Sequence, residues 1–364
     1  MTRAEPGIGP SRRRHHDVPH LVRRARDGDP RSVARLITLV ESGDEPALAA
    51  VAAELAPHTG HARVIGLTGA PGVGKSTTTS ELIRVLREQD RRVGVLAVDP
   101  SSPFTGGAIL GDRVRMQEHA TDPGVYIRSM SSRGHLGGLA AATPAAVRVL
   151  DAAGCDVVLI ETVGVGQAEV EITGLADTTV VLLAPGMGDA IQAVKAGILE
   201  IADVFVVNKA DRDGADATVR DILGMIGLGR TGPQWWRPPV VRAIAAQGEG
   251  IIDVAAAIDR HHDWLVSRDE LTARRVRRIA AEVEAIALGT LRARMSSLRD
   301  GTRLAELAAR VLDGRLDPYA AAGRLLTDLA PAEPGSAPAE PGPAPEKRGG
   351  TSDGHGTPRR GGAG

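Results

Sequence analysis

With 364 residues the chain can hold one large α/β domain with extensions, or two medium domains, and either buries a substantial core. Its 44 basic and 45 acidic residues nearly cancel, which removes any global attraction to nucleic acid or to an anionic membrane surface. The single cysteine, Cys155, excludes an intrachain disulfide framework, argues against a cysteine-rich metal site, and reads as a small buried residue beside a strand.

The chain opens on MTRAEPGIGPSRRRHHDVPH, polar and basic, with no apolar stretch behind the arginines to serve as a signal peptide. Residues 1–18 therefore read as a solvated tail. From Val18 to about Pro57 apolar residues recur at helical spacing (Leu21, Val22, Ala25, then Val33, Leu36, Ile37, Val40), and GDP and SGDEP break the pattern into two or three short helices. This gives an amino-terminal helical extension over 19–58.

Between about 59 and 264 short apolar runs alternate with longer helical stretches: RVIGLTG, RRVGVLAVD, CDVVLIETVG, TTVVLLAPG, VFVVNKAD and PPVVRAIAA. Runs that are apolar throughout fit strands buried on both faces, so an α/β fold with a mostly parallel sheet flanked by helices is expected here. The Trp235-Trp236 pair lies in a proline-flanked loop and reads as local packing or as an interaction surface. After Trp264 the pattern is helical again, with charged faces, and 265–330 is read as a carboxy-terminal helical extension. Residues 331–364 are rich in proline and glycine, have almost nothing apolar to bury, and are expected to be disordered. No run approaches the roughly 18 apolar residues of a membrane span, so a soluble, cytoplasmic protein with no membrane partner is expected.

The stretch GLTGAPGVGKSTTTSEL carries the chemistry. Gly69, Gly74, Lys75 and Ser76 match G-x-x-x-x-G-K-[ST], after a strand-like run and before a helix-like one. Residues Gly69, Ala70, Pro71, Gly72, Val73, Gly74, Lys75, Ser76 and Thr77 then form a phosphate loop whose backbone N–H groups face phosphate oxygens. Lys75 reaches the β- and γ-phosphates and the Ser76 hydroxyl binds Mg²⁺. NKAD, with Asn208, Lys209 and Asp211, matches the N-K-x-D pattern in which a carboxylate accepts two hydrogen bonds from guanine. Adenine lacks that pair of donors, which favours GTP over ATP. Alignment on Gly248-Glu249-Gly250 puts Ile244, Ala245 and Ala246 where GTPases present a serine-alanine pair to the guanine oxygen, with the serine missing.

ETVGVGQ follows the run CDVVLI as the metal and γ-phosphate loop should. Glu161 is a candidate for the Mg²⁺ shell and the Gly164 N–H for sensing the γ-phosphate. Val165 stands where a side chain commonly orients the attacking water, and Gln167 comes two residues too late, so slow intrinsic hydrolysis completed by a partner is expected. Asp99 reads as an outer-shell metal residue or a strand-end cap, and Asp112 as a water-positioning group or a solvated loop charge.

The segments AVDPSSPFTGGAILGDRVRM, ETVGVGQAEVEI, LLAPGMGDAIQAVKAGILEIADVFVVNKAD, LITLVESGD and LAPHTGHARVIGLTGAPGVGKST together resemble the MeaB/ArgK family, over about residues 19 to 320. The resemblance implies a P-loop NTPase fold and a GTPase that chaperones an adenosylcobalamin-dependent acyl-CoA mutase, chiefly methylmalonyl-CoA mutase. It implies Asp99, Asp112 and Glu161 as magnesium-linked residues and Lys75 in catalysis. It makes Asp189, Gln192 and Lys195 candidates for signalling nucleotide state, against the alternative of charges on an ordinary helix. It also implies a homodimer joined through the carboxy-terminal helices. Ile244 and the proline-glycine tail depart from the pattern. Two other readings stay in view. A nickel-insertion GTPase should offer a Cys/His cluster, whereas the pairs His15-His16 and His261-His262 read as surface or tail residues; a kinase serving amino-acid transport should favour ATP.

Overall fold

A computed structural model of the chain describes residues 17–100, 117–132, 142–162, 172–186, 201–228, 232, 234–299 and 302–329. Asp112, Gly164, Val165, Gln167, Asp189, Gln192, Lys195, residues 1–16 with His15 and His16, and the carboxy-terminal tail lie outside these residues, and the side chain of Asp99 is not described; Asp17 and Val18, read as the end of the amino-terminal tail, instead cap and begin the first helix.

Three helices open the described chain: α1 (Val18–Arg26), α2 (Pro30–Glu41) and α3 (Glu45–Leu55). Asp17 caps α1 by accepting from His20 N at 3.1 Å, and Asp29 caps α2 by accepting from Ser32 N at 3.2 Å; each helix carries proline in its first turn. Both devices serve N–H groups that have no partner inside a helix. Leu21, Val22 and Ala25 of α1 and Val33, Leu36, Ile37 and Val40 of α2 are buried, the stripe expected from their spacing.

The sheet consists of β1 (Arg63–Gly69), β2 (Val93–Pro100), β3 (Val125–Ser132), β4 (Val157–Thr162), β5 (Thr178–Leu183), β6 (Val204–Asn208) and β7 (Val240–Ala243). All seven run parallel in the order β3-β2-β4-β1-β5-β6-β7. Helices α4 (Lys75–Glu88), α5 (Thr143–Ala152), α6 (Ala215–Gly227) and α7 (Ile251–Ser267) cover its faces. Alternate strand residues part to opposite sides, as a two-residue period requires. Val64, Val158 and Ile160 pack with α1 to α3 and α5, whereas Ile65, Leu67, Leu159, Val180 and Leu182 pack with α4 and α7. Phe205, Val207, Val181 and Leu183 form a smaller cluster with Val219 and Ile222 of α6.

Contacts divide the chain into two units, Met1–Glu282 and Val283–Gly364, and the helix α8 (Glu270–Arg299) runs through the division. The first unit holds the sheet. In the second, α9 (Thr302–Leu312) and α10 (Pro318–Leu329) bury Leu307 and Leu325, and Asp317 caps α10 by accepting from Tyr319 N and Ala320 N, both at 2.9 Å. No helix among the described residues is long and apolar enough to cross a membrane.

Cys155 is buried just before β4, and burial pushes its thiol up to about 12. The thiolate is the reactive form, so at pH 8 the folded chain is expected to resist iodoacetamide and the denatured chain to alkylate readily. Mass spectrometry of the two samples checks this.

Candidate nucleotide-binding site

The sheet order reverses direction about β1, whose neighbours are β4 and β5, and the carboxyl ends of strands at such a point form a natural crevice. The candidate residues gather there. The chain leaves β1 at Gly69, turns through Ala70, Pro71, Gly72, Val73 and Gly74, and enters α4 at Lys75. Gly74 is the N-cap residue of α4, in the left-handed region at φ 98°, and no side chain caps the helix. The first-turn N–H groups thus meet the anion requirement of a phosphate site without a competing internal acceptor on a capping residue.

Two glycines are dictated by close approach. A Cβ on Gly69 would stand 2.3 Å from the Leu182 carbonyl oxygen, and one on Gly74 would stand 2.3 Å from Asn208 Nδ2. Gly74→Ala therefore combines a left-handed backbone with a clash against a held side chain. It is expected to cost about 1–3 kcal/mol of stability and to weaken nucleotide binding, read by thermal unfolding and by titration calorimetry.

Lys75 and Ser76 are buried. Lys75 Nζ donates to Gly69 O at 2.6 Å and to Ala70 O at 3.1 Å, which holds the ammonium over the loop. Ser76 Oγ donates to Glu161 Oε1 at 2.6 Å. Glu161 sits on β4 opposite Leu67 of β1 and is only 1% exposed. A hydroxyl and a carboxylate, both hard oxygen donors, thus share one buried corner, a donor set that fits a Mg²⁺ ion. Thr77 follows on α4, half-buried. Asp99 lies near the carboxyl end of β2, one residue beyond the pairing of Val98 with Thr162.

The base-reading segment is tied to the phosphate loop by Asn208. Its Nδ2 donates to Val73 O at 2.8 Å, and its Oδ1 accepts from Ala245 N at 3.0 Å. Lys209 adopts φ 55°, uncommon for a residue with a Cβ, and its Nζ donates to Gly72 O at 2.6 Å. Ala210 N donates to Ala243 O at 3.1 Å, and Asp211 follows, exposed. In the 244–246 turn, Ile244 N donates to Glu249 O at 3.0 Å and Ala245 N is held by Asn208, whereas Ala246 is exposed. The double grip of Asn208 was not legible in the sequence, because the partners are backbone groups that any residue could supply.

At the opposite, amino ends of the strands, sequence reasoning missed a set of buried carboxylates. Asp177, just before β5, accepts from Val64 N and from Arg275 and Arg278 of α8. Asp203, just before β6, accepts two bonds from Arg274, both at 3.0 Å. Asp151 accepts from the N–H groups of Gly60, His61 and Ala62 and fixes the entry to β1. His261, read as a surface residue, is fully buried on α7 instead, with Nδ1 2.8 Å from Thr178 Oγ1 and the Trp236 ring centroid 4.9 Å away. Helical phase turns it inward while His262 stays half-buried. Trp236 donates through Nε1 to Asp203 O at 2.7 Å, so that tryptophan serves local packing.

Residues 33–300 match the family model described as methylmalonyl Co-A mutase-associated GTPase MeaB. A putative GTPase of Pyrococcus abyssi is 46% identical over 316 residues, covering 86% of this chain and 97% of that protein. The mitochondrial methylmalonic aciduria type A homolog of Mus musculus is 40% identical over 214 residues, covering 58% of this chain and 52% of that one. Among solved structures, that of an LAO/AO transport system kinase aligns with a TM-score of 0.64 at 25% identity, covering 88% of this chain and 99% of that chain. With a phosphate loop on β1, an N-K-x-D segment on β6 and a family match across most of its length, the chain belongs to the MeaB family of nucleotide-binding, GTP-hydrolysing P-loop proteins.

Proposed function

We propose that this GTPase chaperones an adenosylcobalamin-dependent acyl-CoA mutase, methylmalonyl-CoA mutase first among them, gating cofactor loading, protection or reactivation. The observation that carries the nucleotide part is the grip of Asn208 on Val73 and Ala245, which ties the phosphate loop to both base-facing segments. The family's association with methylmalonyl-CoA mutase supports the choice of client.

In this reading the loop from Gly69 to Thr77 holds the phosphates, Lys75 neutralises charge on the β- and γ-phosphates, and Asp211 accepts from guanine. The Ala246 N–H is the member of its turn that donates to the guanine oxygen, since Ile244 and Ala245 donate within the protein. Ser76 and Glu161 would hold Mg²⁺, with Asp99 and Asp112 as the further magnesium-linked residues; a bound ion would stabilise the charge that develops on the phosphates. Gly164 N–H senses the γ-phosphate. With Val165 in the water-orienting position, intrinsic hydrolysis is slow and the client completes the site. The loops around Asp112, Val165 and Asp189, with Gln192 and Lys195, take two arrangements that the mutase binds with different affinity, the only route by which nucleotide state can reach it.

A homodimer is part of the same proposal. Val276, Ile279, Val283 and Ile286 of α8 are each more than half exposed and follow one another at spacings of three and four, the seam a second helix fits.

The test is GTP hydrolysis by the purified chain, alone and with each adenosylcobalamin mutase of the same organism, with Lys75→Ala as blank. Many-fold stimulation by one mutase is expected. Normal nucleotide binding without stimulation by any of them removes the mutase as client.

A further inference from the structure

A cleft of about 590 Å³ opens at the amino ends of β1, β2 and β4, within the size range of small-ligand sites. It belongs to no part of the nucleotide site. Arg63 begins β1 and Gly69 ends it, so the two regions stand about 20 Å apart at the usual strand rise.

The walls of the cleft include Arg26 at the end of α1, His58 and His61 before β1, Arg63, and Arg91 before β2. Arg63 and Arg91 converge on a single carboxylate: Arg63 Nη1 lies 2.7 Å from Asp259 Oδ1, and Arg91 donates to the same group at 3.1 and 3.3 Å. One aspartate thus serves two guanidiniums, both about 30% exposed, which leaves a surplus positive charge in a partly dehydrated wall. Arg26 has no ion pair among the described residues. Neither has the adjoining Arg92, whose guanidinium donates to Tyr126 Oη at 2.9 Å.

The acidic residues of the wall offset only part of the positive charge. The buried carboxylate of Asp151 is spent on three backbone N–H groups, and Asp156 accepts from Arg92 N at 2.7 Å. Four arginines therefore stand against three aspartates, before either imidazole is protonated. A concave wall with a net positive balance draws anions, and forked guanidiniums beside imidazoles match the oxygens of a phosphate group. His262, next in the chain to the α7 face that carries Asp259, feels the same field: burial first and the Arg63 guanidinium next hold its imidazole below the ordinary range.

We infer that this cleft is a second anion site, built for a phosphate monoester or pyrophosphate group, at the pole of the sheet opposite the GTP loop. A ligand bound there touches the segment that enters β1, the carboxyl end of α1 and the residue that leads into β2, with no residue in common with the nucleotide site.

The test follows the imidazole Cε1–Hε1 resonances of the full chain with GDP and Mg²⁺ bound, assigned through His58→Gln and His61→Gln, during titration with inorganic pyrophosphate and separately with AMP. The expected result is saturable movement of both resonances. The same movement is expected in Lys75→Ala, which separates this cleft from the phosphate loop. Arg26→Gln is expected to weaken binding about fivefold or more while GTP hydrolysis is unchanged. Tighter binding of AMP than of pyrophosphate identifies an ester as the ligand, and the reverse identifies a free phosphate; either supports the site. No movement up to about 10 mM ligand overturns the inference, at which concentration binding is weaker than any physiological use. So does movement that disappears in Lys75→Ala or persists undiminished in Arg26→Gln.

Discussion

Replacing Asp203 with alanine is expected to lower the unfolding free energy by about 3–5 kcal/mol, the range for removing one partner of a buried ion pair. Its side chain is 10% exposed and meets four groups: Thr179 N at 2.9 Å, two nitrogens of Arg274, and His261 Nε2 at 3.2 Å. Alanine satisfies none of them. His261 is fully buried and cannot turn to water, whereas Arg274 is 32% exposed and recovers part of its hydration, which draws the loss toward the lower end of the range. The measurement is urea unfolding of the full chain, with Glu88→Ala as comparison. Glu88 is 59% exposed in its pair with Arg84, and its removal should leave stability nearly unchanged.

The same carboxylate gives the loss a pH signature. Burial alone would raise Asp203, but His261 and Arg274 more than offset it and hold the carboxyl below the ordinary carboxylate range. A depressed pKa in the folded state means that the unfolded chain takes up its proton first as pH falls. The contribution of Asp203 is therefore fully present above the unfolded value of about 3.9 and is lost as pH drops through the lower folded value. The gap in stability between the native chain and Asp203→Ala should narrow below pH 4. A gap that widens below pH 4 would show that Asp203 is not ionised in the fold.

Where the sequence was legible, the reason was local repetition or fixed spacing. RVIGLTG is β1 residue for residue, and the apolar runs over 157–160, 180–183 and 204–207 lie within β4 to β6, because a strand covered on both faces must be apolar along its length. β3 gave no such signal. It is an edge strand reading VYIRSMSS, and its polar residues are tolerated because only β2 pairs with it. Arg128 of β3 instead donates to Glu41 of α2, a contact 87 residues distant that no window along the chain contains. The arginines of α8 were likewise hidden. RRVRR reads as a solvated helical face, yet Arg274, Arg275 and Arg278 close on Asp177 and Asp203 at the amino ends of β5 and β6. Charge pairing across about 70 to 100 residues leaves no periodic trace, whereas the phosphate loop and NKAD are short, contiguous and chemically constrained, and both stand at carboxyl ends of strands.

Asp211→Asn is expected to exchange base preference rather than abolish binding. Guanine presents two donors, N1–H and the N2 amino group, on the edge that a carboxylate recognises; xanthine presents one donor and, at C2, one acceptor. A carboxylate accepts both guanine bonds, whereas an amide accepts one and must point its own N–H₂ at the other donor. Losing one charge-assisted bond and burying a donor against a donor costs about 3–6 kcal/mol, so affinity for GTP should fall about 10²- to 10⁴-fold. The amide suits xanthine, and xanthosine triphosphate should bind to the variant more tightly than GTP does. The backbone is prepared for this readout: Lys209 is held at φ 55° with its ammonium on Gly72, and Ala210 is pinned to β7 through Ala243 O, so residue 211 cannot drift to relieve a mismatch. Because Asp211 is exposed and makes no ion pair with the described residues of the phosphate loop, folding and kcat with the matched nucleotide should be unaffected. Competition binding with GTP, xanthosine triphosphate and ATP, followed by turnover of each, separates the cases. Unchanged GTP affinity in the variant would mean that the NKAD segment does not read the base, and that guanine selection rests on the Ala246 turn alone.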